Sequence, residues 1–245
     1  MPSSPDRVIL VHGLWMPAAS MALLGNRLRR AGFSTRSFGY ACVADDASTN
    51  ARRLAAFALA GDGTAGRAVG RSAGDANGRV ADGTASEEPA PPKLHLVGHS
   101  AGGVLLLRAL ADSAPLAARV SRVVLLGPPY ADSAAAHSLL RLPGGHRMLG
   151  RTLREWLAAP RPRPDPRHQV GVIAGSRPLG LSRMIVRFPG TSDGAVSLEE
   201  AQVPGACDTI VLPVAHSSLI LSARVAGEVA AFLRDGRFTP GAPRA

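Results

Sequence analysis

Apolar residues along this chain fall into two alternating patterns, short unbroken runs and longer stretches at helical spacing. Val8-Ile9-Leu10-Val11 is too short for a helix and predicts a strand buried on both faces. Residues 18–31 then set Met21, Leu24 and Leu28 on one helical face, and Gly32 supplies the stop. Residues 33–40 read as extended and 49–60 as an alanine-rich helix through Leu54, Phe57 and Leu59. The next run, Leu94-His95-Leu96-Val97, leads into a helix over 101–113; further strands are expected at 122–127, 169–174 and 208–214, and a last helix at 217–234. This alternation predicts the α/β class: a single domain, 1–245, built on a mostly parallel sheet with helices on both faces and right-handed crossovers.

Two stretches break the pattern. Over 61–92 large apolar residues nearly vanish in favour of Gly, Ala, Asp, Arg and Ser, and Pro89-Ala90-Pro91-Pro92 closes the stretch. Such a segment buries too little apolar surface to offset the entropy of ordering, so a disordered insertion is expected there. Residues 128–167 are rich in Arg and Pro and read as irregular, except that 147–158 sets Met148, Leu149, Leu153, Trp156 and Leu157 at helical spacing opposite Arg147, Arg151 and Arg154. The preferred reading packs that apolar face on the domain; the rival lays it on a lipid surface.

Charge changes the picture little. The net charge is +10 and 27 of the 28 basic residues are arginine, Lys93 being the exception, but they are scattered. With no basic tail, aromatic–basic interleaving or zinc spacing, no nucleic-acid partner is expected; weak contact with an anionic lipid interface stays open. Cys42 and Cys207 are expected as free, buried thiols. The first residues lack a basic and apolar leader, and no run is long enough to span a bilayer, so a soluble, cytoplasmic protein is expected.

Chemistry enters at Gly98-His99-Ser100-Ala101-Gly102, between a strand and a helix. A turn this tight strains its central residue and lifts the serine hydroxyl clear of the sheet, and flanking glycines avoid Cβ collisions. A nucleophile placed so needs an acid and then a histidine downstream. His216, just past the strand at 208–214, is the base candidate. His95 reads as packed in its strand and His99 as turned away from the serine. His12 reads as a backbone brace, and His137, His146 and His168 as solvated. For the acid, Asp193 lies in the turn Ser192-Asp193-Gly194; Asp132, one strand earlier, is the rival. Glu199, Glu200 and Asp208 read as surface charges. Oxyanion donors are expected at the backbone N–H of Ala101 and of Leu14, with Trp15 next.

The set Val11-His12-Gly13-Leu14-Trp15, Gly98-His99-Ser100-Ala101-Gly102-Gly103, Asp193-Gly194-Ala195-Val196 and Ala215-His216 resembles the small bacterial α/β-hydrolase fold serine hydrolases of the lipase and esterase kind. The resemblance implies a Ser100, Asp193, His216 triad with an oxyanion hole at Leu14 and Ala101, acting on a small-molecule ester with an apolar acyl group through an acyl-enzyme. It implies no metal or organic cofactor, and places 128–167 where such folds insert a cap or lid. The polar insertion and the missing early strands depart from the pattern. A thioesterase, amidase or transacylase on the same triad is the nearest alternative, and a non-catalytic lipid-binding relative the more distant one.

Overall fold

The computed structural model describes residues 4–60, 92–179, 188 and 190–244. Six strands, β1 (Arg7–Val11), β2 (Ser34–Phe38), β3 (Leu94–His99), β4 (Val120–Leu126), β5 (Gln169–Gly175) and β6 (Asp208–Leu212), form one sheet in the order β2-β1-β3-β4-β5-β6. Every neighbouring pair is parallel. The expected strand at 208–214 stops at Leu212, before Pro213, which has no N–H to extend the ladder.

Among the described residues seven α-helices cover the sheet: α1 (Ala22–Arg30), α2 (Ala47–Leu59), α3 (Ala101–Asp112), α4 (Ala114–Arg119), α5 (Ala134–Leu140), α6 (Gly145–Ala158) and α7 (Ala223–Asp235). Successive strand residues point to opposite faces, and here both faces are apolar. Ile9, Val11, Leu96, Leu125 and Val172 pack with Leu54 of α2, Leu105 of α3 and Leu153 of α6. Val8, Leu10, Val97, Val124 and Ile173 pack with Leu24 and Leu28 of α1 and with Val229 and Phe232 of α7. This two-sided burial is why the strands read as unbroken apolar runs.

Helix ends follow local chemistry. Asp46 caps α2 through the Thr49 N–H, Ser113 caps α4, Ser133 caps α5, and Ser222 caps α7. The Ser222 cap explains why the helix expected at 217–234 starts late: His216–Ile220 is a separate 3-10 turn. α4, unexpected from the sequence, is a six-residue helix with a proline in its first turn.

The region expected to be irregular, 128–167, holds α5 and α6. Its amphipathic spacing is realised as packing on the domain: Leu149, Leu153 and Trp156 are buried in the core while Arg147, Arg151 and Arg154 are exposed. Polar bonds add to this docking. Glu155 accepts from Ala47 N (2.7 Å) and Ser48 Oγ (2.9 Å), and Thr152 Oγ1 accepts from Asn50 Nδ2 (2.9 Å). The insertion expected at 61–92 lies, apart from Pro92, outside the described residues. No described helix is long and apolar enough to cross a membrane. Cys42 is buried as expected, whereas Cys207 is exposed; both are free.

Candidate active site

The strand order locates the site before any side chain is considered. From β1 the chain moves outward to β2 and then returns to β3 on the other side of β1. The helix after β1 therefore lies on one face and the helix after β3 on the other, and their connecting loops part at the carboxyl ends of the strands. The loops that part there are 12–16 and the turn at Ser100.

Ser100 has φ 52° and ψ −126° at the start of α3, one of two non-glycine residues with positive φ among the described residues. Its N–H donates to Leu126 O at the end of β4 (2.8 Å), and its carbonyl accepts from Gly103 N (2.8 Å). The flanking glycines answer to backbone on two sides. A Cβ on Gly98 would stand 2.6 Å from Gly103 Cα, and one on Gly102 would stand 2.3 Å from His12 O and 2.5 Å from Val11 O. Gly102 thus lets α3 start against the end of β1, bringing Ala101 close to the 12–16 loop.

The expected acid and base, Asp193 and His216, follow β5 and β6. Asp193 is 1% exposed, and its Oδ1 accepts from Ala195 N (2.9 Å) and Val196 N (2.8 Å) in a turn that Gly194 completes at φ 98°. Oδ2 is left for His216 Nδ1 at 2.7 Å, and His216 N donates to Asp193 O (2.9 Å). With Nδ1–H held by the carboxylate, the neutral imidazole presents its Nε2 lone pair. At the end of β4, a Cβ on Gly127 would stand 3.1 Å from Asp193 Oδ2 and 3.2 Å from His216 Cε1, so glycine there leaves room for the pair. Ser100, half-buried, makes no side-chain hydrogen bond among the described residues; such contacts often close only once substrate is bound. Asp132, the rival acid, is exposed and pairs with His137 (2.7 Å), while His216 pairs with Asp193.

His99 has a part in the site that the sequence reading did not give it. Its ring packs against that of His216, centroids 4.8 Å apart, and its Nε2 lies 3.1 Å from His216 O. A carbonyl only accepts, so Nε2 carries the proton and Nδ1 is a bare, buried lone pair without a partner. Nδ1 faces Gly13, where any Cβ would stand 2.9 Å away. Burial, followed by repulsion from His216, pushes the His99 pKa down to about 3, so it is neutral beside the base. His12 braces its loop as expected. Nδ1 donates to Gly13 O (2.8 Å), Nε2 accepts from Tyr40 N (3.4 Å), and the ring stacks on Tyr40. Burial lowers its pKa too.

Leu14 and Trp15 form the tip of a turn closed by Met16 N to Gly13 O (3.4 Å). Among the described residues the N–H groups of Leu14 and Ala101 are not spent on protein acceptors. Other expectations need correction. His168 is buried, not solvated, with Nε2 donating to Ala117 O (2.8 Å). Glu200 is buried rather than a surface charge, accepting from Ser197 N (2.7 Å) and Ala134 N. Asp208 is half-buried and accepts from Phe238 N (2.9 Å), while Glu199 is exposed as expected. His95 is fully buried in β3. Among the described residues no cluster of His, Cys, Asp or Glu could hold a metal ion. A shallow cleft of about 630 Å³ on the outer side of α5 and α6, lined by Asp46, His137, Arg151 and Arg154, does not include the Ser100 site.

No protein-family model and no curated protein matches the chain. Solved structures do. The mature lipase BlEst2 of Bacillus licheniformis superposes with a TM-score of 0.67 at 19% identity, over 96% of this chain and 92% of that one. Est1E from Butyrivibrio proteoclasticus gives 0.56 at 13% identity, over 96% and 89%. The NocB thioesterase domain in covalent complex with a fluorophosphonate nocardicin G analogue gives 0.53 at 17% identity, over 96% and 95%.

Proposed function

Taking as premise the α/β-hydrolase fold that the chain adopts, we propose that the protein is a serine hydrolase that cleaves carboxylic esters through an acyl-enzyme. Ser100 Oγ attacks the ester carbonyl while His216 Nε2 takes its proton. Asp193 holds the imidazole in one tautomer and stabilises its charged form. The tetrahedral oxyanion accepts from the N–H groups of Leu14 and Ala101. The protonated His216 then gives its proton to the leaving alkoxide, and water activated by the same histidine cleaves the acyl-enzyme.

The observation that carries this reading is the 2.7 Å contact between His216 Nδ1 and Asp193 Oδ2, at the same carboxyl edge of the sheet as the strained Ser100. Both oxygens of that carboxylate are committed, one to two backbone N–H groups and one to the imidazole, which is what an orienting acid needs. Exposed Trp15, in the 12–16 loop, and exposed Met148, whose carbonyl it contacts, favour an apolar substrate group. The thioesterase domain among the similar structures makes thioesters the second substrate class to test.

Hydrolysis of p-nitrophenyl esters and matching acyl thioesters from acetyl to decanoyl tests the reading. Ser100-dependent turnover is expected, with oxygen esters preferred. Turnover that survives Ser100→Ala would sink the mechanism, and a preference for thioesters would move the assignment to the second class.

A further inference from the structure

Two described non-glycine residues have positive φ, and they stand on the two sides of the same crevice: Ser100 and Trp15, at φ 58°. For a bulky residue this region is strained and persists only when the surroundings enforce it. Trp15 is the second central residue of the turn from Gly13 to Met16, a position where positive φ normally calls for glycine or asparagine. Its ring is no core anchor, since Trp15 is 59% exposed. Its side chain is restrained by a hydrogen bond: the indole Nε1–H donates to Met148 O of α6 at 2.7 Å, across 133 residues of sequence.

The acceptor is prepared for this role. Two residues beyond Met148, Gly150 leaves helical geometry at φ 77°, ψ 170° and opens the α6 hydrogen-bond ladder. Gly150 packs on the 42–43 loop so closely that a Cβ would stand 2.5 Å from Val43 Cα, and Arg151 N donates to Val43 O (3.0 Å) instead of continuing the helix. Met148 O is thus held on a docked segment, facing the 12–16 loop.

We propose that Trp15 is a positioning residue for the oxyanion hole: its N–H bond to Met148 O holds the strained turn in the conformation that aims the Leu14 N–H toward the Ser100 reaction centre. This rests on the hydrolase reading, with Leu14 as oxyanion donor. Removing one oxyanion donor outright costs about 10²–10³ in kcat, so loosening its loop should cost about tenfold.

Wild type, Trp15→Phe and Trp15→Gly are compared on p-nitrophenyl butyrate, with thermal melting and affinity for an alkyl trifluoromethyl ketone measured beside it. Phe keeps the bulk and loses the donor; Gly also relieves the backbone strain. Both variants should lose about tenfold in kcat with KM within twofold of wild type, and should bind the oxyanion-forming ketone about tenfold more weakly. Neither should melt lower than wild type. A Phe variant with kcat and ketone affinity within twofold of wild type would overturn the proposal, as would a loss confined to KM or one that tracks a lowered melting temperature. Wild-type protein that neither turns over the ester nor binds the ketone would overturn the hydrolase reading, and this inference with it.

Discussion

The strand-end cluster of Ser100, Asp193, His216 and His99 and the arm formed by α5 and α6 are built on opposite principles. In the cluster almost nothing has room to move. Gly98, Gly102 and Gly127 stand where backbone or the side chains of Asp193, His216 and Leu219 occupy the space a Cβ would take, and both carboxylate oxygens of Asp193 have partners. The arm instead holds on mainly by an apolar stripe, Leu139, Leu149, Leu153 and Trp156, with polar bonds to the start of α2, to the 42–43 loop and to Glu200, and turns its arginines to solvent. The proposed chemistry uses the part of the molecule where geometry is over-determined. Substitutions of Ser100 and Asp193 should therefore cost turnover without unfolding the protein, and those in the buried stripe of the arm should cost stability and largely spare kcat.

The largest expected effect is that of Ser100→Ala, about a millionfold in kcat with the melting temperature kept. Asp193→Asn should cost about ten-thousandfold, because the amide leaves His216 in the wrong tautomer, while Asp132→Asn should leave turnover unchanged; single-turnover kinetics on the three proteins sharpens the choice of acid. From the other region, Trp156→Ala should cost about 3–5 kcal/mol in urea unfolding, with kcat of the remaining folded protein within threefold of wild type. A hundredfold fall in that kcat would break the comparison, since the arm would then belong to the catalytic machinery.

His99 supplies the pH test. Its folded pKa, about 3, is below the ordinary histidine value near 6.5, so between those values the unfolded chain binds a proton that the folded chain does not. Stability should be fully present above about pH 6.5 and be lost progressively as pH falls toward about 3. His12 and His95, also lowered by burial, act in the same direction. His99→Phe should melt with a shallower dependence over pH 4–6.5 than wild type and lose about tenfold in kcat, because nothing then holds the His216 carbonyl. The smallest effect belongs to Arg151→Ala and Arg154→Ala. Each should change stability by less than about 0.5 kcal/mol and leave sedimentation with phosphatidylglycerol vesicles unaltered. A loss of vesicle binding in either would revive a lipid surface for the arm.

Much of this division was legible in the sequence. Strands buried on both faces announce themselves as unbroken apolar runs, and the elbow, the Asp193 turn and His216 lie at strand ends in the order such a sheet demands. What escaped was set by contacts between distant segments. The inward turn of His99 depends on β3 lying beside the His216 loop. His168 is buried because Ala117 O, 51 positions away, needs a donor. Glu200 is buried because it ties the 197–200 turn to the start of α5. In the arm the amphipathic spacing of 147–158 was legible and is realised in α6, whereas α5, seven residues long, is too short for its apolar spacing to dominate a window.

The central claim, that Ser100 is a nucleophile activated by His216, is tested most directly by exposing the folded protein to a fluorophosphonate and mapping the adduct by peptide mass spectrometry. The account predicts one adduct per chain, on Ser100, absent in Ser100→Ala and formed at least about a thousandfold more slowly in His216→Ala. Folded wild-type protein that takes no label, or takes it on another residue, would contradict it.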